Sequence, residues 1–332
     1  METSTVYPNI TATGKLNQTG EVLDINRKLS VFACFSVLIC LIGLVGNAVV
    51  FWILCFRIRR TSYTVYILNL AAADFIFLSC NAIFLLYLVY LMLHPHPSSA
   101  NQYEFLSGLE IVRNFGFNAG MFLLTAISVE RCLSVLYPFW HRLHRLKLQS
   151  AIVCAFLFAL SCLVSLLDTL ICSQAAYMEQ TTQCMSIKIF IAILTFAIFI
   201  PLMIVSSLIL VIVVQKATNQ CHPSKLYIVI VVTVVVFLIS AVPAQLLWIF
   251  FFFKVLSSNV NTFTLFLVIA FCNSVNSAAN PFIYFFVGRK RRSDVQRSVH
   301  AALERVFTED GESPGIENKT ISSNTSITEM QS

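Results

Sequence analysis

Seven times along this chain an apolar run continues past the ~20 residues that a helix needs to cross the hydrocarbon core of a bilayer. The runs fall at about 30–56, 64–92, 103–137, 148–172, 186–215, 224–253 and 260–287. In lipid every backbone N–H and C=O has to be satisfied within the protein, which leaves only helices and closed barrels as spanning structures. The runs are far longer than a barrel strand, and the links between them are short, so neighbouring helices run antiparallel. The expected fold class is therefore an all-α membrane protein, a seven-transmembrane helix bundle. Composition agrees: 58% of residues are hydrophobic and 11% are charged, where soluble domains carry roughly a quarter charged residues.

The net charge of +6 does not mark a nucleic-acid binder. Its cations sit at Arg57, Arg59 and Arg60, at Arg142, Arg145 and Lys147, and at Arg289 to Arg292, beside the ends of apolar runs. That is the distribution expected of cytoplasmic loops in a membrane protein, and no nucleic-acid partner is expected. The first run is too long for a signal-peptide core and is read as an uncleaved span that carries the N-terminus outward. Residues 1–29 then form an extracellular polar tail, with glycosylation sequons at Asn9 and Asn17, and 30–287 form the transmembrane domain. The sequons at Asn318 and Asn324 fall in the cytosolic tail and should stay unmodified. Val295, Val299, Leu303 and Phe307 recur every fourth residue behind the arginines, so 288–307 reads as an amphipathic helix on the membrane surface, against anionic lipid headgroups. Residues 308–332 are rich in Ser, Thr and acid and should be disordered. His94-Pro95-His96-Pro97 is read as a proline-broken loop, because no further ligand lies nearby to make a metal site. Most of the eleven cysteines lie within apolar runs as small buried hydrophobes; Cys172 and Cys184, which flank the short loop between the fourth and fifth runs, are the exception.

An ionisable residue inside a membrane helix points to function, with structural glue as the bland alternative. Asp74 lies in the middle of the second run, Asn47 follows Gly46 in the first, and the seventh carries Asn276, Ser277, Asn280 and Pro281. No basic residue lies at the depth of Asp74 in these runs, so amides, hydroxyls, water or a small cation must accommodate its charge. Pro281 removes a backbone hydrogen bond in mid-span and frees carbonyls for such a polar cluster to engage. The third run ends in Glu130-Arg131, where carboxylate and guanidinium can neutralise one another. Nearer its other end are Glu110 and Arg113, three apart and so on one helix face, while Asp168 and Lys188 fall in the fourth and fifth runs. These four either line a mixed-charge pocket or form internal ion pairs without ligand contact.

Taken together, GN at 46–47, LAAAD at 70–74, ER at 130–131, Pro201, Pro243 and NPFIY at 280–284 resemble the rhodopsin-like (class A) G-protein-coupled receptors over Leu29 to Phe307. TAISVERCLSVLYP at 125–138, SKLYIVI at 224–230 and NSAANPFIYFFVG at 276–288 are similar to the Mas-related branch. The resemblance implies a plasma-membrane receptor, N-terminus outside and C-terminus inside. It would bind an extracellular peptide or small charged molecule and activate a heterotrimeric G protein. Arg131 would be the main contact, with Glu130 restraining it and Asn280, Pro281 and Tyr284 serving the switch. Receptor kinases and arrestin would act on Ser322, Ser323, Thr325, Ser326 and Thr328.

The cysteine plan fits the same branch. No cysteine lies between Cys80 and Cys132 to tie the third helix to the second outer loop. The resemblance implies a Cys172–Cys184 disulfide between helices four and five instead, closing its loop at a gain of roughly 2–3 kcal/mol. Asp168 matches an acidic position that several such receptors use to attract cations, but Lys188 stands where they often have a second acid. There are other departures. Ala241 replaces the tryptophan two residues before the helix-six proline, Phe158 the helix-four tryptophan, and Ile209 the inner tyrosine of helix five. Gly120 stands where a sodium-binding serine often sits, so a sodium ion at Asp74 would lose one ligand. No other cofactor or metal is expected. An ion-handling transporter or channel is the alternative, opposed by seven spans without inverted repeats and by the Glu-Arg pair beside a basic loop. A retinal protein would need a lysine in 260–287, which has none. No HExxH or GxSxG motif suggests an enzyme.

Overall fold

The computed structural model describes residues 18–58, 61–93, 100–137, 149–172, 181–217, 225–253 and 262–288. Among them are seven helices long and apolar enough to cross a membrane. These are α1 (Gln18–Phe56), α2 (Ser62–Leu93), α3 (Ala100–Leu136), α4 (Gln149–Ile171), α5, α6 (Lys225–Phe252) and α7 (Thr262–Gly288). The α5 rod has three parts in sequence: Thr182–Ile193, a π-helical turn Leu194–Phe199, and Ile200–Ala217. The surface amphipathic segment, the sequons, the histidine-proline loop and the phosphorylatable tail lie outside the described residues.

Helix α1 begins at Gln18, about three turns before its apolar run. The apolar span itself runs Arg27–Phe56, so these first turns are polar helix ahead of it. Glu21, Asp24, Asn26, Arg27 and Lys28 are compatible with a helix, and loss of apolarity marks where the lipid-facing part ends rather than where the helix does. Helix α5 likewise starts earlier than its apolar run, at Thr182, with Thr181 Oγ1 accepting from the Cys184 backbone N–H at 3.4 Å. Its π turn precedes Pro201, which has no N–H for the preceding turn and whose ring crowds the carbonyl four residues back. One wider turn absorbs that misfit: the Ile200 N–H bonds Thr195 O, five residues back.

The helices close a ring, α1 packing on α2 and α7, and α6 on α5 and α7, while α3 touches α2, α4, α5 and α6. Helices α3 and α7 bury 56% of their most apolar windows, against 28–39% for the others. They are the inner rods, and the large exposed apolar side chains of the rest, such as Val45, Leu163 and Ile239, face lipid. Close approach of α1 to α7 and of α2 to α3 depends on missing side chains. A Cβ on Gly43 would come 2.7 Å from Ala278 Cβ, and one on Gly116 would come 2.8 Å from the Phe77 backbone nitrogen.

Candidate functional site

The mid-span polar cluster assembles as its residue types demand. Pro281 has no N–H to bond the Ser277 carbonyl, and Asn47 Nδ2 donates to that carbonyl at 3.1 Å, across from α1. The same amide donates to Gly43 O at 3.0 Å. On α2 the buried Asp74 carboxylate accepts from Asn280 Nδ2 at 2.7 Å, and the Ser277 side chain also hydrogen-bonds it. The amide oxygens of Asn47, Asn276 and Asn280 accept from no donor among the described residues. A carboxylate, a hydroxyl and nearby amide oxygens are hard ligands, and they fit a small alkali cation better than a transition metal. Gly120 faces this cluster: a Cβ there would lie 3.5 Å from Asp74 Oδ1, so glycine withholds a side-chain ligand from the carboxylate.

At the far end of α3, Arg131 is buried and its guanidinium lies over the Tyr63 ring of α2, 4.0 Å from the centroid. Tyr63 and Tyr284 belong to one buried apolar cluster to which all seven helices contribute. Tyr63 was not singled out in the sequence, where a tyrosine at the very start of an apolar run carries no signal.

The opposite end of the bundle holds a cavity of about 140 Å³ lined by residues of α2 to α7. Glu110, Arg113, Asp168 and Lys188 all line it. They are also paired: Arg113 Nη2 lies 3.6 Å from Glu110 Oε1, and Lys188 Nζ lies 2.6 Å from Asp168 Oδ1. The four are ion-paired and also form part of the cavity wall. The pairs differ in kind. Arg113 is 11% exposed but Glu110 is 46% exposed, so water screens the longer contact. Lys188 and Asp168, at 15% and 19%, are largely out of water.

Each cation also rests on aromatic rings. Arg113 lies over Phe84 and Phe266 at 5.0 and 5.2 Å, and Lys188 lies 5.9 Å from both Trp248 and Phe252. Phe84, Phe266 and Trp248 form a chain of ring contacts, at 5.1 and 6.4 Å, that spans the cavity between the two cations. Helix six thus has an aromatic in the cavity at Trp248, two turns beyond the buried Ala241. Phe158, at the other substituted tryptophan position, packs on Phe115 with ring centroids 5.9 Å apart. The π turn contributes Thr195 and Phe196 to the wall. Asn81 and Asn273 line the cavity too, although the sequence reading passed over both. Their signal was present, an amide in an otherwise apolar run, but the ionisable groups drew attention first.

The disulfide Cys172–Cys184 is formed, with the Cα atoms 4.8 Å apart. It joins the end of α4 to the first turn of α5, four residues from Asp168 on one side and four from Lys188 on the other, and so holds their pair in register.

Comparison with known proteins gives a consistent result. Residues 46–284 match the model of the 7 transmembrane receptor (rhodopsin family). The human Proto-oncogene Mas is 42% identical over 304 residues, covering 91% of this chain and 90% of that protein. The Mas-related G-protein coupled receptor member D of Macaca fascicularis is 36% identical, covering 89% of this chain and 90% of its own length. The human Mas-related G-protein coupled receptor member X1 is 37% identical, covering 90% and 89%.

Proposed function

The chain belongs to the rhodopsin family of seven-transmembrane receptors, in its Mas-related branch, and from that premise we propose how its two ends work together. It is a multi-pass membrane protein of a receptor family, and this assignment does not favour the transporter or channel reading. The cavity end faces outside and takes a ligand carrying both charge signs, a peptide or a small zwitterion. The Arg131 end faces the cytosol and meets the heterotrimeric G protein. Asn9 and Asn17 carry glycans, and the Ser/Thr-rich tail is the substrate of receptor kinases and the docking point of arrestin.

One observation supports this reading most directly. A single central helix carries Arg113 in the cavity and, roughly 27 Å along its axis, Arg131 against Tyr63 at the opposite end, and it packs on four other helices. A ligand can favour the signalling conformation only through its difference in affinity for the two states. Separating or replacing the wall ion pairs supplies such a difference. A sodium ion held by Asp74, Ser277 and the amide oxygens would supply local positive charge between the two ends, with water taking the place of a ligand at Gly120.

In this conformation the Tyr63 ring covers the Arg131 guanidinium, a contact of about 1 kcal/mol. Tyr63→Leu is therefore expected to raise ligand-independent nucleotide exchange about fivefold in vesicles holding purified G protein, while Tyr63→Phe stays near wild type. Adding Arg131→Ala to Tyr63→Leu should return exchange to the level of vesicles without receptor. A double variant as active as Tyr63→Leu alone sinks the coupling role of Arg131.

A further inference from the structure

We infer that Asn81 and Asn273 form a subsite on the cavity floor that reads an uncharged N–H or O–H donor, of the primary-amide kind, on the ligand. This deepens the cavity reading above and rests on it. Asn81 is 0% exposed and its amide nitrogen is committed. It donates to Ser274 Oγ at 2.8 Å and to Ala270 O at 3.4 Å, with Cys40 Sγ at 3.8 Å. Ser274 Oγ itself donates to the same Ala270 carbonyl at 2.8 Å. Turning the Asn81 amide over would set its oxygen against that carbonyl, so the orientation is fixed and the oxygen is left to face elsewhere. Asn273, on α7 beside Ser274, is 7% exposed. Neither amide oxygen accepts from a protein donor among the described residues, and both residues line the cavity. A buried acceptor without a donor is costly, and two on one wall, from two packed helices, make a surface that rewards a donor. Neither oxygen is open to water in this conformation, so a ligand group that reaches this wall has to bring its own N–H or O–H.

The charges around the floor select a neutral group. The Arg113 guanidinium lies over Phe84, one turn from Asn81, and would repel an ammonium. Of the carboxylates nearby, Glu110 is held by Arg113, Asp168 by Lys188 on the α4–α5 side, and Asp74, two turns along α2, by Asn280. A buried cation at the floor would lack an adjacent counter-ion. A primary amide needs none, and it brings two N–H groups for two oxygens.

The test is saturation-transfer NMR on the purified full-length receptor with small probes. Propanamide should bind about tenfold tighter than N,N-dimethylpropanamide, which lacks the donors, and about tenfold tighter than propylammonium. Asn273→Leu should remove the preference over the dimethyl probe, and Asn273→Asp should turn the preference toward propylammonium. Equal binding of the two amides by wild type, a wild-type preference for propylammonium, or an amide preference unchanged in both variants overturns the subsite. The zwitterion δ-aminovalerate, lost in Lys188→Met, reports the mixed-charge walls separately. If it binds and propanamide does not, only the floor inference falls. If neither binds, the cavity reading falls with it.

Discussion

Gly116→Val is expected to remove most of the folded receptor from the cell surface, whereas Gly108→Ala, two turns earlier on the same helix, should leave it unchanged or slightly raised. At Gly116 a Cβ would stand 2.8 Å from the Phe77 nitrogen and 3.0 Å from the Ala73 carbonyl oxygen, on the backbone hydrogen bond of a turn of α2. No rotamer relieves a clash with main chain, so α2 and α3 would have to separate. Overpacking a fitted contact typically costs 1–3 kcal/mol, and a β-branched residue against backbone should lie at or above that range. Without water to drive helices together, close packing is a main source of association in the bilayer, so the loss has little to offset it. At Gly108 nothing lies within 4 Å of the added carbon, and alanine gains up to ~1 kcal/mol in helix propensity. Surface immunolabelling and the melting temperature of the solubilised protein would check both. A Gly116→Val receptor as abundant and as heat-stable as wild type would show that this α2–α3 contact is not needed.

What could be read from the chain before its structure depended on whether a residue is unusual in its local setting. Asp74, Asn47 and the Asn276–Pro281 segment are conspicuous in apolar runs, and the fold joins Asn280 to Asp74 and Asn47 to the proline-freed Ser277 carbonyl. The seven spans and the Glu110–Arg113 pair follow from periodicity and i,i+3 spacing. Contacts made between helices by ordinary residues were not legible. Tyr63 over Arg131 and Trp248 against Phe266 depend on helix rotation, which an all-apolar run does not encode. The polar turns of α1 ahead of its apolar span were not legible because a charged helix and a polar coil share a composition. The π turn gave no local sign beyond the proline that follows it. Asp168 and Lys188 were both recognised, but their direct pairing depends on how α4 docks on α5.

Replacing Lys188 with methionine should destabilise the receptor by about 2–3 kcal/mol, and adding Asp168→Leu should recover most of that loss. The two groups are 2.6 Å apart and mostly buried. Removing one partner of a buried pair leaves a charge that has lost its counter-ion, at a cost of about 3–5 kcal/mol in closed interiors. Both side chains keep some exposure to the cavity, which screens the stranded charge and brings the cost to the bottom of that range or just below it. Replacing both by apolar groups removes the desolvation penalty together with the attraction, and the methionine can still pack on Trp248 and Phe252. Melting temperatures of wild type, Lys188→Met, Asp168→Leu and the double variant form a double-mutant cycle, and strictly additive losses would refute the coupling. The same coupling bears on ligand choice. A purely cationic ligand that takes Asp168 strands Lys188, and a purely anionic one that takes Lys188 strands Asp168. A ligand with both charges replaces each half of the pair as it opens it. The double variant, having no charge left at the α4–α5 pair, should lose the preference for δ-aminovalerate over propylammonium while keeping a folded bundle. If that preference survives in the double variant, the α4–α5 pair is not what reads the ligand's charges.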